Sequence, residues 1–227
     1  MFTFVKKIIV ALSMLLFISC GSVDVNGQID SNQVHENNNT LRIACVGDSI
    51  TEGVGLSSSE TYPSQLLSML GEGYVVQNFG KQSATVMKNG SLPYWNTIEY
   101  INSLNYNPDI VIIMLGTNDA RPENWENNSS FVSDYEDLVE SYSNLPGKPI
   151  VYIAYPTPVY GDLYGITNDR VVGEVIPNIR KVAENKGIIL IDTYTPLVNK
   201  ISMFPDELHP DKEGARLIAE QIYVTIY

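Results

Sequence analysis

Residues 109–115, DIVIIML, are apolar at every position after the opening aspartate. The run is too short for a buried helix and suits a strand. A strand without polar alternation must be covered on both faces, as in a parallel sheet. Runs at 41–46, 74–79, 149–155 and 188–191 read as four further strands. Helical patterns fall between them. Tyr62, Leu66, Leu67 and Leu70 form one, with Pro63 suited to its first turn. Residues 93–104 form a second, and Phe131, Tyr135, Leu138, Val139 and Tyr142 a third. Val172, Val175, Ile176, Ile179 and Val182 form a fourth that stops at Gly187. Pro177 within it requires a kink or a later start. The last helix covers 214–223. Strands alternating with helices make an α/β domain: a five-stranded parallel sheet with helices on both faces. A chain of 227 residues suits one such domain, and no internal repeat is visible.

The first 40 residues belong to another kind of sequence. Lys6 and Lys7 precede an apolar stretch at 8–18, which is short for a membrane span and suited to a signal peptide. Phe17-Ile18-Ser19-Cys20 is similar to a bacterial lipobox. It implies a lipoprotein signal peptide over 1–19 and a lipidated Cys20. Residues 20–40 are rich in Asn, Ser, Gly and Gln and read as a flexible tether, with His35 in it. The folded domain is expected over 41–227. Such a chain would be lipid-anchored to the bacterial cell envelope, most simply the outer membrane, with its domain in the periplasm or at the cell surface. With Cys20 lipidated, Cys45 is the one thiol left, and its place in the first strand makes it a small core residue. The net charge of −12 argues against nucleic acid as a partner.

The chemistry-bearing residues gather at strand ends. The first strand runs into Gly47-Asp48-Ser49, the second into Asn78-Phe79-Gly80, and the third into Gly116-Thr117-Asn118-Asp119. In an open α/β sheet the carboxyl ends of the strands are where ligands bind. Asp206-Glu207-Leu208-His209-Pro210 precedes the last helix. The chain has two histidines, and His35 lies in the tether. If Ser49 is a nucleophile that needs an imidazole base, His209 must supply it. Asp206, three residues earlier, can reach the far ring nitrogen across one irregular turn. Either residue alone is equally explained by a solvated turn before a helix.

The four segments, in this order, resemble the SGNH (GDSL) hydrolase family over the whole of 41–227. The resemblance implies a flavodoxin-like, three-layer fold and a serine esterase without metal or cofactor. It implies Ser49, His209 and Asp206 as the catalytic triad. Backbone N–H groups of Ser49 and Gly80, with the Asn118 amide, would form the oxyanion hole. One departure is visible: the second block often carries a further glycine where this chain has Ser83.

The runs NFGKQSATV and GTNDARPENW are similar to bacterial carbohydrate acetylesterases of the sialate O-acetylesterase and acetylxylan esterase type. An acetylated carbohydrate is therefore the expected substrate. Tyr94, Trp95, Trp125, Tyr160 and Tyr164 follow strand ends and could stack on sugar rings or pack the core. Arg121 could pair a substrate carboxylate or tie down a loop. Two other functions are compatible with the sequence. One is a lysophospholipase or thioesterase of the same fold. The other is a non-catalytic glycan-binding lipoprotein, against which the joint presence of Ser49, His209, Asp206, Gly80 and Asn118 argues. Oligomeric state cannot be read from the sequence.

Overall fold

The structure, a computed structural model, describes residues 40–227. The signal peptide, Cys20 and all but the last residue of the tether lie outside the described residues. No helix among those described is long and apolar enough to cross a membrane.

Five strands form one parallel sheet: β1 (Leu41–Gly47), β2 (Tyr74–Gly80), β3 (Ile110–Met114), β4 (Ile150–Ala154) and β5 (Ile189–Ile191). Their spatial order is β2-β1-β3-β4-β5. The chain therefore steps outward from β1 to β2, then crosses back over β1 to build the other half. The switch point lies between β1 and β3, where the loops leave in opposite directions and open a crevice.

Between the strands lie the helices α1 (Ser49–Glu52), α2 (Tyr62–Leu70), α3 (Ile98–Asn105), α4 (Pro122–Trp125), α5 (Phe131–Ser143), α6 (Asn168–Arg170), α7 (Ile176–Lys186) and α8 (Lys212–Ile226). Each strand sends alternate side chains to opposite faces. Ala44, Val46, Val111, Ile113, Val151 and Ile153 pack beneath α5 and α7. Ile43, Cys45, Ile110, Ile112, Met114 and Tyr152 meet α2 and α8 on the other side. This gives β3 its uninterrupted apolar sequence. Cys45 is fully buried, and desolvation pushes its thiol up to about 12. It is a core residue.

Two local expectations change. Residues 93–104 are not one helix: Tyr94–Asn96 is a 3₁₀ turn, and Thr97 caps α3 by accepting the Tyr100 N–H. At Pro177 the chain resolves its conflict by a change of helix type. A π-helical stretch, Val171–Val175, precedes α7, and Pro177 then falls in the first α turn, where its missing N–H costs no bond.

Candidate active site

Ser49 follows directly from β1. Asp48 Oδ1 accepts the Ile50 N–H at 3.0 Å and caps α1, so Ser49 is the first residue of a one-turn helix. Ser49 is 5% exposed at the floor of the crevice. The turn sits this deep because two glycines remove side chains from its path. A Cβ on Gly47 would lie 2.0 Å from the Thr51 hydroxyl, and one on Gly80 would lie 2.0 Å from the Glu52 nitrogen.

His209 arrives from the opposite end of the chain. Its Nε2 is 2.9 Å from Ser49 Oγ, and its Nδ1 is 2.6 Å from Asp206 Oδ2. The other carboxylate oxygen of Asp206 accepts the N–H groups of Leu208 (3.1 Å) and His209 (2.7 Å). This local turn, with Glu207 at φ 66°, sets the spacing of aspartate and histidine. Desolvation pushes the Asp206 carboxyl up, but hydrogen bonds from the His209 ring and the two backbone N–H groups outweigh it. The net effect holds Asp206 below the usual carboxylate range. An ionised carboxylate at Nδ1 keeps the ring proton there and turns the Nε2 lone pair towards Ser49. The sequence-predicted Ser49, His209 and Asp206 are thus brought into one line.

Asn118 follows β3 and is 3% exposed. Its Nδ2 donates to the Ala84 carbonyl at 3.1 Å, and its Oδ1 accepts from Arg121 Nη2 at 3.0 Å. A primary amide has two donors, so one N–H remains to be directed elsewhere.

Gly80 does not stand as expected. Its N–H donates to Asn78 Oδ1 at 2.8 Å and is already committed. The glycine is needed for close approach to α1 instead. The backbone N–H groups of Ser49 and Ser83, by contrast, meet no acceptor among the described residues. Ser83 has φ 65°, the left-handed conformation that glycine adopts freely. A glycine would therefore be the natural occupant, and Ser83 keeps the same backbone shape.

Two buried acids flank the site and were not singled out as functional from the sequence. Asp119 accepts the Val86 N–H through both oxygens (3.1 and 3.0 Å) and the Met87 N–H at 2.9 Å. Burial pushes it up to about 7 against those bonds, with Asp48 nearby adding to the rise. Burial likewise pushes Asp48 up to about 6, opposed by the Ile50 N–H. Asp134 accepts the Lys88 N–H, and Asn124 accepts the Ser91 N–H while donating to the Asn118 carbonyl. Residues 81–93 are thereby pinned from the β3 and α5 side. Both aspartates stand inside the quoted motifs, but an acid in a glycine turn reads as solvated until its burial is seen.

The expected sugar-stacking residues fare differently. Trp125 is 6% exposed, donates its indole N–H to Glu174 and packs its edge on Phe131. It is a core side chain. Trp95 donates to the Val86 carbonyl at 2.9 Å and packs on Tyr100, with Lys88 over its ring. Tyr94 is fully buried. Tyr160 spends its hydroxyl on the Leu197 carbonyl and the Lys200 N–H, and tilts against Phe204. These rings are occupied by packing and loop-tying, the alternative that composition could not separate from stacking. Arg121 bonds Asn118 and Ser83 rather than a local acid.

Serine, histidine and aspartate stand in line at the carboxyl edge of a parallel sheet, beside an asparagine amide that follows the neighbouring strand, in an α/β fold. Residues 45–217 match the GDSL-like lipase/acylhydrolase family, and the chain belongs to that family. An acetylxylan esterase of Xylanibacter ruminicola is 32% identical over 82% of this chain, which spans 43% of that protein's length. A carbohydrate acetylesterase from Sinorhizobium meliloti shares the fold with a TM-score of 0.68 at 18% identity, covering 82% of this chain and 98% of its own. An aryl esterase from M. smegmatis does so with a TM-score of 0.65 at 18% identity, over the same shares.

Proposed function

We propose that the chain is a serine carboxylic-ester hydrolase that removes acetyl groups from carbohydrate. The observation that carries the hydrolase reading is the hydrogen-bonded line from Ser49 through His209 to Asp206. His209 Nε2 takes the hydroxyl proton as Ser49 Oγ bonds to the acetyl carbonyl carbon. The resulting oxyanion accepts hydrogen bonds from the Asn118 amide and the Ser49 N–H, with the Ser83 N–H in the place first assigned to Gly80. Collapse breaks the bond to the sugar oxygen, which leaves with the proton from Nε2. Water then repeats the sequence on the acetyl-enzyme and releases acetate. Asp206 stays ionised throughout and balances the transient imidazolium.

The carbohydrate part rests on the acetylxylan esterase relative and on Tyr164. Tyr164 is 58% exposed, with its backbone in the left-handed region at φ 59°. The Arg121 guanidinium lies 4.7 Å from the ring centroid, and Gly165 is wedged against Pro122. A fixed, exposed ring next to the Asn118–Arg121 pair offers an apolar face to a pyranose. The leader and Cys20 support anchoring at the cell envelope. Incorporation of labelled palmitate that Cys20→Ala abolishes is the expected result.

Acetate release from acetylated xylan and other acetylated glycans tests the function. Release by the chain and its loss in Ser49→Ala are expected. Turnover of small esters without acetate from any glycan would remove the carbohydrate part and leave the hydrolase.

A further inference from the structure

We infer that Arg121 is a positioning residue of the oxyanion hole, fixing the Asn118 amide and the Ser83 turn as one unit. The inference rests on the esterase reading above and adds a residue to it. One guanidinium nitrogen, Nη2, donates to Asn118 Oδ1 at 3.0 Å and to Ser83 Oγ at 3.3 Å. It therefore bridges the two loops that follow β3 and β2. Arg121 Nε is buried, and the Tyr164 ring covers the guanidinium. Arg121 as a whole is half-buried, with Nε shielded from solvent and without a partner and Nη2 spent on the two loops.

The bridge does two things for the amide. It selects one of its two orientations. Were the amide flipped, Nδ2 would face a guanidinium donor and Oδ1 would face the Ala84 carbonyl, so both neighbours reject the flip. It also polarises the group. A cation on Oδ1 draws charge through the amide and makes the remaining N–H a stronger donor, in surroundings of low dielectric. That strengthening acts on charge that appears only in the transition state.

The same bridge accounts for Ser83. Glycine would adopt φ 65° without strain, but it has no hydroxyl to accept from Nη2. Ser83 gives up some conformational ease and ties its own N–H to the position of Asn118.

The test is a mutant cycle on the full chain with p-nitrophenyl acetate, a substrate with no carboxylate for Arg121 to bind. Arg121→Ala is expected to lower kcat by roughly 10–30-fold, a fraction of what deleting an oxyanion donor costs, with KM changed less than about threefold. Arg121→Lys, which keeps a charge but loses the planar fork, should fall between the two. In an Asn118→Ala background, Arg121→Ala should cost almost nothing further, because the group it acts through is gone. Losses that simply multiply would overturn the inference. So would a raised KM with kcat intact, which marks a substrate ligand. If Arg121→Ala does not fold, Arg121→Lys decides alone: an unchanged kcat overturns the inference and a lowered kcat at constant KM supports it. Ser49→Ala runs alongside. Its full activity would defeat the esterase mechanism itself, an outcome separate from any result at Arg121.

Discussion

Ser49 and His209 are separated by 160 residues of sequence and by 2.9 Å in space. The contact joins the turn after the first strand to the turn before the last helix, so it exists only when the whole sheet is assembled. Ser49→Ala should lower turnover of a small acetyl ester by roughly 10⁴-fold or more with the fold retained. His209→Ala should do the same, and the double variant should cost little beyond either. Near-native turnover in a folded single variant would refute the assignment.

Asn118 and Gly80 should separate in their effects. Asn118→Ala removes an amide donor and should lower kcat by about 10²–10³ with a much smaller change in KM. Gly80→Ala adds a methyl group where the Glu52 nitrogen already stands 2.0 Å away. The α1 turn must shift or the chain must unfold. Its expected signature is a lowered Tm, measured by circular dichroism. Native stability with a selective loss of kcat would return Gly80 to the oxyanion role.

The difference between those two residues shows what the sequence could carry. Strand type and number were readable because burial on both faces leaves a plain apolar pattern, as at Ile110–Met114. His209 was readable by elimination, and Asp206 by its reach across one turn. Gly80 was not, since sequence says that glycine is required but not whether its N–H or its missing side chain is used. Trp95 and Trp125 were ambiguous for a related reason. An aromatic after a strand end has the same letters whether its indole finds a carbonyl inside or a sugar outside. Asp119 was hidden because its two backbone partners, Val86 and Met87, lie more than 30 residues away.

Asp48 gives a prediction on pH. Its native carboxyl titrates near 6, above the ordinary 3.8 of an unfolded aspartate. Between those values the native state holds the proton that the unfolded state has lost. This contribution to stability is therefore full below about pH 4 and is lost as pH rises through about 6. Asp119 acts in the same direction up to about pH 7. Asparagine caps a helix as well as aspartate does and carries no charge. Asp48→Asn should therefore be the more stable protein at pH 8, by on the order of 1–3 kcal/mol, with the advantage fading towards pH 4. Tm measured across this range checks it. Parallel curves for the two proteins would contradict the buried-charge account.

Tyr164 separates glycan from small-ester chemistry. Tyr164→Ala should raise KM for acetylated xylo-oligosaccharides by about tenfold, roughly the 1.4 kcal/mol of one lost stacking contact. Vinyl acetate, which has no ring to stack, should keep its KM, and any fall in kcat caused by uncovering Arg121 should be shared by both substrates. Tyr164→Phe should behave like the native chain on both, because a ring face and not a hydroxyl is required. Equal glycan kinetics in the alanine variant would show that the ring takes no part.

The acyl group gives the last prediction, and the wall of the site decides its sign. The loop after β2 is fixed at Ala84 by Asn118, at Val86 and Met87 by Asp119, at Lys88 by Asp134 and at Ser91 by Asn124. Its backbone donors and acceptors are committed at five places. To swing away for a long acyl chain it would have to expose the buried carboxylate of Asp119 without its partners, a large penalty. Against a wall that does not yield, a misfit methylene costs about 1–3 kcal/mol. An open apolar channel would instead gain about 0.8 kcal/mol for each methylene buried. The slope of kcat/KM against chain length thus has opposite signs for a short pocket and for a lipid channel. The cavity of about 180 Å³ beside His209, between Val54, Leu56 and Pro205, borders the group that in the proposed mechanism protonates the departing alcohol. It is accordingly assigned to the alcohol and not to the acyl chain. p-Nitrophenyl acetate should be cleaved best, butyrate weakly and octanoate barely. A rate that climbs from acetate to octanoate would move the chain to the lipid hydrolases of its family and the cavity to the acyl side.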